Sequence, residues 1–259
     1  METPAPLSPP HRNRGIYLLP NLFTTAALFS GFFAIIAASQ GRFEAACIAI
    51  FVAAVLDGLD GRVARMTNTQ TEFGVQYDSL SDLVSFGMAP ALLMYHWALF
   101  SLKHDGMTLG KVGWLGAFLY AACAALRLAR FNSQVGTVDK RWFVGLPSPS
   151  AAGLVASFVW VMVDLDLWSG TQLRYAALTL TVIAGLLMVS RIRYPSFKGG
   201  KGPQGDRVPF KMLFAVLVII IGLVIDPSKV LLGGSGLFAL FGPLLARRQA
   251  RRQAAAEAA

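Results

Sequence analysis

Four aspartates, Asp57, Asp60, Asp78 and Asp82, stand within 26 positions of a chain that has only 14 acidic residues. Asp57 and Asp60 are three positions apart and Asp78 and Asp82 are four apart, so on helices each pair shares one face. Two antiparallel helices could then direct all four carboxylates into one volume, where their charges would repel one another. Mg²⁺, Mn²⁺ and Ca²⁺ prefer oxygen ligands and would neutralise such a cluster. The spacing therefore predicts a site for hard divalent cations.

The side chains near the aspartates leave two other interpretations open. The carboxylates could form helix-end salt bridges with Arg62 and Arg65, which would require no ligand. Carboxylates within a membrane can also form the ion or proton pathway of a transporter. The two cysteines, Cys47 and Cys123, stand in apolar runs, and no group of His and Cys accompanies the aspartates. A zinc site is therefore not expected.

The composition of the chain indicates that these aspartates belong to a membrane protein. Of 259 residues, 55% are hydrophobic and 14% are charged, whereas ordinary soluble domains contain about 25% charged residues. So few charges could not cover a soluble surface, and the apolar content excludes intrinsic disorder. The net charge of +9 does not require nucleic acid as a partner, because the basic residues lie in loops between apolar segments and can meet anionic headgroups.

Eight apolar segments predict an all-α integral membrane protein with about eight transmembrane helices and both termini in the cytoplasm. The segments are 16–40, 45–56, 83–102, 112–126, 142–163, 175–190, 212–225 and 230–246. With this topology, 18 of the 23 Lys and Arg residues fall on the cytoplasmic side, as the positive-inside rule expects. Segment 45–56 is short, and we expect its helix to continue past Leu56 into water. The aspartates then lie at the cytoplasmic ends of the second and third spans.

The sequence around the aspartates resembles the signature of the CDP-alcohol phosphatidyltransferase family. Every fixed position of that signature is filled, in the order Asp57-x2-Asp60-Gly61-x2-Ala64-Arg65-x8-Gly74-x3-Asp78-x3-Asp82. The resemblance implies that an alcohol attacks a CDP-linked lipid and releases CMP. It also implies two divalent cations as cofactors, Mg²⁺ or Mn²⁺, with Ca²⁺ as a further candidate.

The resemblance implies a role for several residues of this region. The metal ligands would be Asp57, Asp60, Asp78 and Asp82, of which Asp82 would also be the catalytic general base. The residues that contact the CDP-lipid would be Asn21, Gly61, Arg65 and Thr71. Asn21 belongs to a Pro-Asn-x-x-Thr element at residues 20–24. Two structural roles stay open there, a helix kink at Pro20 and an interhelical hydrogen bond from Asn21.

Three further segments resemble the phosphatidylserine synthase branch of this family. They read DSLSDLVSFGMAP at 78–90, ALRLARFN at 125–132 and FVGLPSPS at 143–150. This resemblance implies that the acceptor alcohol is serine, whose carboxylate would need a basic partner. The candidate acceptor-binding residues are Arg127, Arg130, Asn132 and Ser148. The same arginines could bind a phosphate or serve only as membrane anchors, so glycerol phosphate, inositol phosphate and choline stay open as acceptors.

The expected organisation is a single membrane-embedded domain over residues 1–259, with a basic, Ala-rich tail at 247–259. We expect a prokaryotic cell membrane as its location, with the active site facing the cytoplasm. The expected partners are CDP-diacylglycerol, L-serine and membrane lipids, but not nucleic acid. Resemblance to related membrane enzymes adds a homodimer to these expectations.

Overall fold

The computed structural model describes residues 18–67, 69, 71–133, 142–166, 168–195 and 210–257, and nearly all of them form helices. A helix pairs its backbone N–H and C=O groups internally, whereas lipid offers these groups no hydrogen-bond partner. The helices are α1 Leu18–Ser39, α2 Phe43–Thr67, α3 Glu72–Asp82, α4 Ala89–Trp97, α5 Met107–Ser133, α6 Ser148–Leu165, α7 Arg174–Val189, α8 Phe210–Ile225 and α9 Pro227–Glu257. The predicted all-helical class is confirmed, apart from one short pair of strands.

Four helices in the described part of the chain are long and apolar enough to cross a membrane. They are Pro20–Ser39, Met107–Ser133, Ser148–Leu165 and Pro227–Leu245. The helical stretches Glu72–Trp97 and Leu99–Asp105 meet at 40° and together form a fifth candidate. Two other apolar helices, α7 and the part of α8 at Leu213–Ile225, are shorter. The structure thus shows four or five candidate spans, while a helix lies on each of the eight segments predicted from hydropathy.

The helix α2 runs without a break from Phe43 to Thr67. The short apolar segment 45–56 is therefore extended by roughly three turns, as the sequence predicts. The next helix, α3, begins after Thr71, whose hydroxyl accepts a hydrogen bond from the backbone N–H of Gly74 at 3.0 Å. Both pairs of aspartates consequently lie on helices, which is the condition for each pair to share a face.

The chain between α3 and α5 is not the single regular span that segment 83–102 predicts. A π-helical segment, Leu83–Met88, joins α3 to α4, and a 3₁₀ segment, Leu99–Asp105, follows α4. The buried Tyr120 of α5 donates a hydrogen bond to the carbonyl of Phe86 in the π-helical segment at 3.3 Å. Hydropathy cannot reveal this irregularity, because the apolar side chains are the same in either type of helix.

The helix α1 packs closely against the π-helical segment because Gly31 has no side chain. A Cβ atom at Gly31 would lie only 2.7 Å from the Cα of Ser85. Ser81 and Ser85 are buried and donate hydrogen bonds to the carbonyls of Thr24 at 3.2 Å and Ala27 at 3.1 Å. These contacts fix α3 and its aspartates against α1.

A pair of short antiparallel strands connects two distant parts of the sequence. Strand β1, Trp142–Val144, pairs with strand β2, Arg193–Pro195. Strand β2 lies near the start of the segment that connects α7 to α8. The middle of this segment, residues 196–209, lies outside the described residues.

The prediction of a single helical span over 142–163 was wrong at its beginning. The first residues form β1, and α6 begins only at Ser148, immediately after Pro147. Between them, Gly145 adopts φ 84°, a left-handed conformation that favours glycine. A Cβ at Gly145 would also lie 2.2 Å from the carbonyl oxygen of Met188. The turn thus redirects the chain before the helix starts.

Candidate active site

Asp57 and Asp60 of α2 and Asp78 of α3 direct their carboxylates toward one another. One carboxylate oxygen from each lies within 4.8 Å of the other two. Asp60 is buried, with 5% of its surface exposed, and the other two are half-buried. The structure therefore brings together three of the four aspartates that the helical spacing predicts to meet.

The atoms of this cluster fit a hard divalent cation. All three residues supply carboxylate oxygens, the ligand type that Mg²⁺ and Mn²⁺ prefer. Within the described part of the chain, Asp78 Oδ1 is buried and has no hydrogen-bond partner. Leaving a buried acceptor without a partner is costly, and a bound cation would remove both this cost and the repulsion between the carboxylates.

Asp82, the last residue of α3, does not belong to this group of three. It lies near enough to Asp57 and Asp78 to interact electrostatically with both. The positive charge of Arg127 on α5 also acts on Asp82. Asp82 is therefore under the influence of both negative and positive charges, and its carboxylate can accept a proton or contribute to cation binding.

Thr24 of α1 forms a contact that the sequence analysis missed. Its hydroxyl donates a hydrogen bond to Asp60 Oδ2 at 2.8 Å and also lies 3.1 Å from the carbonyl oxygen of Pro20. The hydroxyl has one proton and can donate to only one acceptor at a time. The available signal was the position of Thr24 in the Pro-Asn-x-x-Thr element, but this does not reveal a partner 36 residues away.

For Asp60 and Asp78, the described residues give no support to the salt-bridge interpretation. Among the described residues, neither Arg62 nor Arg65 forms an ion pair with Asp60 or Asp78. Both arginine side chains are exposed. Their charges are therefore available to an anionic ligand.

The residues predicted to contact a CDP-lipid have different surroundings. A Cβ added at Gly61 would meet no atom within 4 Å, so the helix surface beside Asp60 is open. Thr71 caps α3, which gives its hydroxyl a structural role. Asn21 Oδ1 lies 3.6 Å from the position of a Cβ added at Gly74, close to the start of α3. Gly74 therefore provides the space in which α1 and α3 approach each other.

The candidate acceptor-binding residues fall into three groups. Arg127 donates from Nη1 to Oγ of the fully buried Ser148 at 2.8 Å, while its Nε is buried without a partner among the described residues. Asn132 Nδ2 donates instead to Oγ of Ser79 on α3 at 2.9 Å. The side chain of Arg130 forms no hydrogen bond or ion pair within the described part of the chain. The structure thus joins Arg127 to Ser148 but not to Arg130.

The fold and the site together define a class of protein, an all-helical membrane protein with an acidic cluster suited to divalent cations. Residues 17–190 match the family model described as CDP-alcohol phosphatidyltransferase. This match covers more than half of the chain, and the protein belongs to that family. The resemblance found around the aspartates is therefore confirmed.

Curated relatives extend the match beyond the signature. A CDP-diacylglycerol–serine O-phosphatidyltransferase from Helicobacter pylori is 37% identical over 88% of this chain and 90% of its own length. The archaetidylserine synthase of Methanothermobacter thermautotrophicus is 35% identical over 70% of this chain and 71% of its own length. A CDP-diacylglycerol–serine O-phosphatidyltransferase from Mycobacterium tuberculosis is 41% identical over 55% of this chain and 50% of its own length.

Proposed function

We propose that this protein is a CDP-diacylglycerol–serine O-phosphatidyltransferase, which makes phosphatidylserine and CMP. The observation that carries the proposal is the convergence of the Asp57, Asp60 and Asp78 carboxylates within 4.8 Å. The relatives named for this activity support serine as the acceptor, since the similarity to the Helicobacter pylori protein covers 88% of the chain.

The proposed reaction is a single displacement at the phosphorus that carries the diacylglycerol. The serine hydroxyl oxygen forms a new bond to this phosphorus, and the bond from phosphorus to the CMP oxygen breaks. CMP leaves with the electron pair of that bond. Asp82, beside Arg127, accepts the proton of the hydroxyl as general base.

The residues of the acidic cluster would hold two divalent cations, Mg²⁺ or Mn²⁺, with Ca²⁺ as a further candidate. When bound, these cations would supply charge stabilisation for the attacking serine oxygen and for the leaving oxygen of the diphosphate. Asp57, Asp60 and Asp78 would hold them, and Asp82 would add its carboxylate. The open surface at Gly61 admits the diphosphate, and the exposed guanidinium of Arg65 binds a phosphate oxygen. Asn21 and Thr71 line the CDP-lipid side of the site.

Serine is proposed to bind between Arg127 and Asp82. Arg127 is held by its hydrogen bond to Ser148, and its buried Nε has no partner among the described residues. A carboxylate accepts hydrogen bonds from a guanidinium with favourable geometry. The serine carboxylate would therefore bind Arg127, which leaves the hydroxyl near Asp82. Arg130 and Asn132 would form the entrance to this acceptor site.

The proposed topology has eight spans with both termini and the active site on the cytoplasmic side, within one domain over 1–259. It is supported by the eight helices on the predicted segments and by the distribution of Lys and Arg. The membrane is proposed to be a prokaryotic cell membrane, since the relatives named above are bacterial and archaeal. The homodimer stays a prediction.

An acceptor screen with purified protein tests the proposed function. CDP-diacylglycerol is supplied with Mg²⁺ or Mn²⁺ and with serine, glycerol phosphate, inositol phosphate or choline, and CMP release is measured. We expect CMP release with serine as the acceptor and with none of the other three acceptors. We expect no CMP release when EDTA removes the metal. CMP release with another acceptor would assign the protein to a different branch of the family. Serine uptake into vesicles without CMP release would support a cation-coupled transporter instead.

The variant Asp82→Asn tests the assignment of the general base. Turnover should fall about 10²–10⁴-fold, the contribution of a positioned general base, while binding of CDP-diacylglycerol is retained. Full activity in this variant would remove the assignment. Isolation of a phosphatidyl-enzyme intermediate would contradict direct attack by serine.

A further inference from the structure

A cavity of about 510 Å³ opens between α4, the 3₁₀ segment and the beginning of α5. Its lining includes two basic residues, Lys103 and Lys111, and the aromatic residues Tyr95, Phe100 and Trp114. None of these residues takes part in the proposed reaction. The cavity is therefore a separate feature that needs its own explanation.

The cavity lies at the end of the helix bundle that is remote from the aspartates. Asn132 marks the active-site end of α5, because it contacts Ser79 next to Asp78. Lys111 precedes Asn132 by 21 residues on the same helix, a separation of about 30 Å at 1.5 Å per residue. This length is close to the thickness of the hydrocarbon core of a bilayer. With α5 as a membrane span, the two sites face opposite surfaces of the membrane.

The two lysines give the cavity a positive charge that the neighbouring protein does not neutralise. Lys103 Nζ lies 3.5 Å from the centroid of the Phe100 ring, a cation–π contact that positions the ammonium group. The adjacent acidic residue, Asp105, is already bonded to Arg174, whose Nη2 lies 2.8 Å from Asp105 Oδ1. Within the described residues, neither Lys103 nor Lys111 forms an ion pair. An anion from outside the protein would complete the site.

The aromatic lining indicates what kind of molecule carries that anion. Phe100 and Trp114 are about half exposed, at 47% and 49%, and Tyr95 is partly exposed. Tyr and Trp are typical of the interface between lipid and water, where an apolar ring can meet acyl chains and a polar group can meet water. A free inorganic ion would use the lysines but would leave this apolar surface uncovered.

We propose that this cavity binds the headgroup of an anionic phospholipid in the leaflet opposite the active site. Lys103 and Lys111 bind the phosphate, and the rings of Phe100 and Trp114 contact the glycerol and the first part of the acyl chains. The bound lipid is distinct from the proposed substrate, which approaches the aspartates from the other surface. Lipid binding at this site does not depend on whether serine is the acceptor in the proposed reaction.

Lipid binding by the purified full-length protein in nanodiscs tests this site. Phosphatidylcholine discs are compared with discs in which part of the lipid is phosphatidylglycerol, and retained lipids are counted by native mass spectrometry. We expect selective retention of phosphatidylglycerol. The double variant Lys103→Gln/Lys111→Gln should weaken it about 10–30-fold, since each lysine near a membrane surface contributes about one kcal/mol.

The matched control is Arg42→Gln, because Arg42 lies over the ring of Phe33 but does not line the cavity. This variant should retain phosphatidylglycerol like the unmodified protein. Equal retention of the two lipids, unchanged retention in the lysine variant, or an equal loss in Arg42→Gln would each overturn the proposal. Inorganic phosphate at millimolar concentration should not displace the lipid, and displacement would identify a simple anion site instead.

Discussion

Acidic side chains at the two ends of the helix bundle have different kinds of partner. At the remote end, Asp105 is bonded to Arg174, and Asp226 is bonded to Lys229 within one helical turn. At the active-site end, the partner of Asp60 is the neutral hydroxyl of Thr24, and the carboxylate of Asp78 faces other carboxylates. The chain thus provides its own counter-charge where a carboxylate has a structural role. Where it provides carboxylates for chemistry, the counter-charge must come from a ligand.

Two glycines near the remote end and two beside the aspartates have different surroundings. A Cβ at Gly113, near the remote end, would lie 2.5 Å from the carbonyl oxygen of Leu99, and one at Gly170 would overlap the carbonyl oxygen of Trp97. Added Cβ atoms at Gly58 and Gly61 would meet no protein atom within 4 Å. Gly113 and Gly170 are therefore needed for packing, whereas Gly58 and Gly61 leave space that the described protein atoms do not fill.

The largest expected effect comes from Asp78→Asn, which removes one charge from the acidic cluster. CMP release should fall at least about 10³-fold, because the cluster provides several kcal/mol of charge stabilisation through its cations. In EDTA the same variant should have a higher Tm than the unmodified protein, because repulsion between carboxylates is relieved. Activity assays and thermal unfolding in detergent measure the two changes.

The matched variant Asp105→Asn makes the same substitution at the remote end. It weakens the bonds from Arg174 and should lower Tm slightly, while CMP release stays near that of the unmodified protein. Opposite shifts of Tm in the two variants would support the contrast between the ends. A fall of Tm in metal-free Asp78→Asn would indicate that this carboxylate has a structural role.

The next effect concerns the acceptor, and Arg127→Lys tests it. Lysine keeps the charge but cannot form the same pair of hydrogen bonds, so kcat/KM for serine should fall about 10–100-fold. Most of the change should be in KM for serine, with KM for CDP-diacylglycerol little altered. Ser148→Ala should act in the same direction but less, because it removes only the group that holds Arg127. A rise in KM for CDP-diacylglycerol alone would assign Arg127 to the nucleotide-lipid.

The local features of the site and the meeting of its aspartates could be predicted from the sequence, while the other tertiary contacts could not. The spacing of Asp57 and Asp60 specifies a common face of α2, because helical periodicity is a property of neighbouring residues. The hydrogen bond between Thr24 and Asp60 joins two helices, and no pattern within either helix encodes it. The hydrogen bond from Arg127 to Ser148, at 2.8 Å, likewise depends on how α5 packs against the start of α6.

The same distinction explains the errors in the predicted fold. Apolar runs located the described helices other than α3, whose sequence is mostly polar. They joined β1 to α6, because Trp142–Val144 is apolar and its pairing with Arg193–Pro195 is not local. The π-helical segment at Leu83–Met88 also escaped prediction. Its wider hydrogen bonding depends on contacts such as that from Tyr120 to Phe86, which the sequence does not show.

A smaller effect is expected for Thr24→Val, which replaces the hydroxyl by a methyl group of similar size. Asp60 would lose its donor, and the metal concentration for half-maximal activity should rise about 10–100-fold, as it does when a residue that orients a metal ligand is removed. Thr24→Ser keeps a hydroxyl and should recover most of the affinity. Direct Mn²⁺ binding, followed by electron paramagnetic resonance, separates this effect from turnover. Equal losses in both variants would indicate a packing defect rather than loss of the hydrogen bond.

The smallest effect is expected for Arg174→Ala at the remote end. Arg174 bonds Asp105 and the carbonyl of Thr171, so its removal loosens the contact between the 3₁₀ segment and α7. Exposed ion pairs contribute little, and Tm should therefore fall by no more than a few degrees. High salt screens exposed charges and should reduce the difference between the variant and the unmodified protein. CMP release and its dependence on Mg²⁺ should not change, because neither residue of this ion pair contacts the acidic cluster of the active site. A loss of activity in Arg174→Ala would show that the two ends are coupled. The contrast between carboxylates paired within the protein and carboxylates that depend on a ligand would then no longer hold.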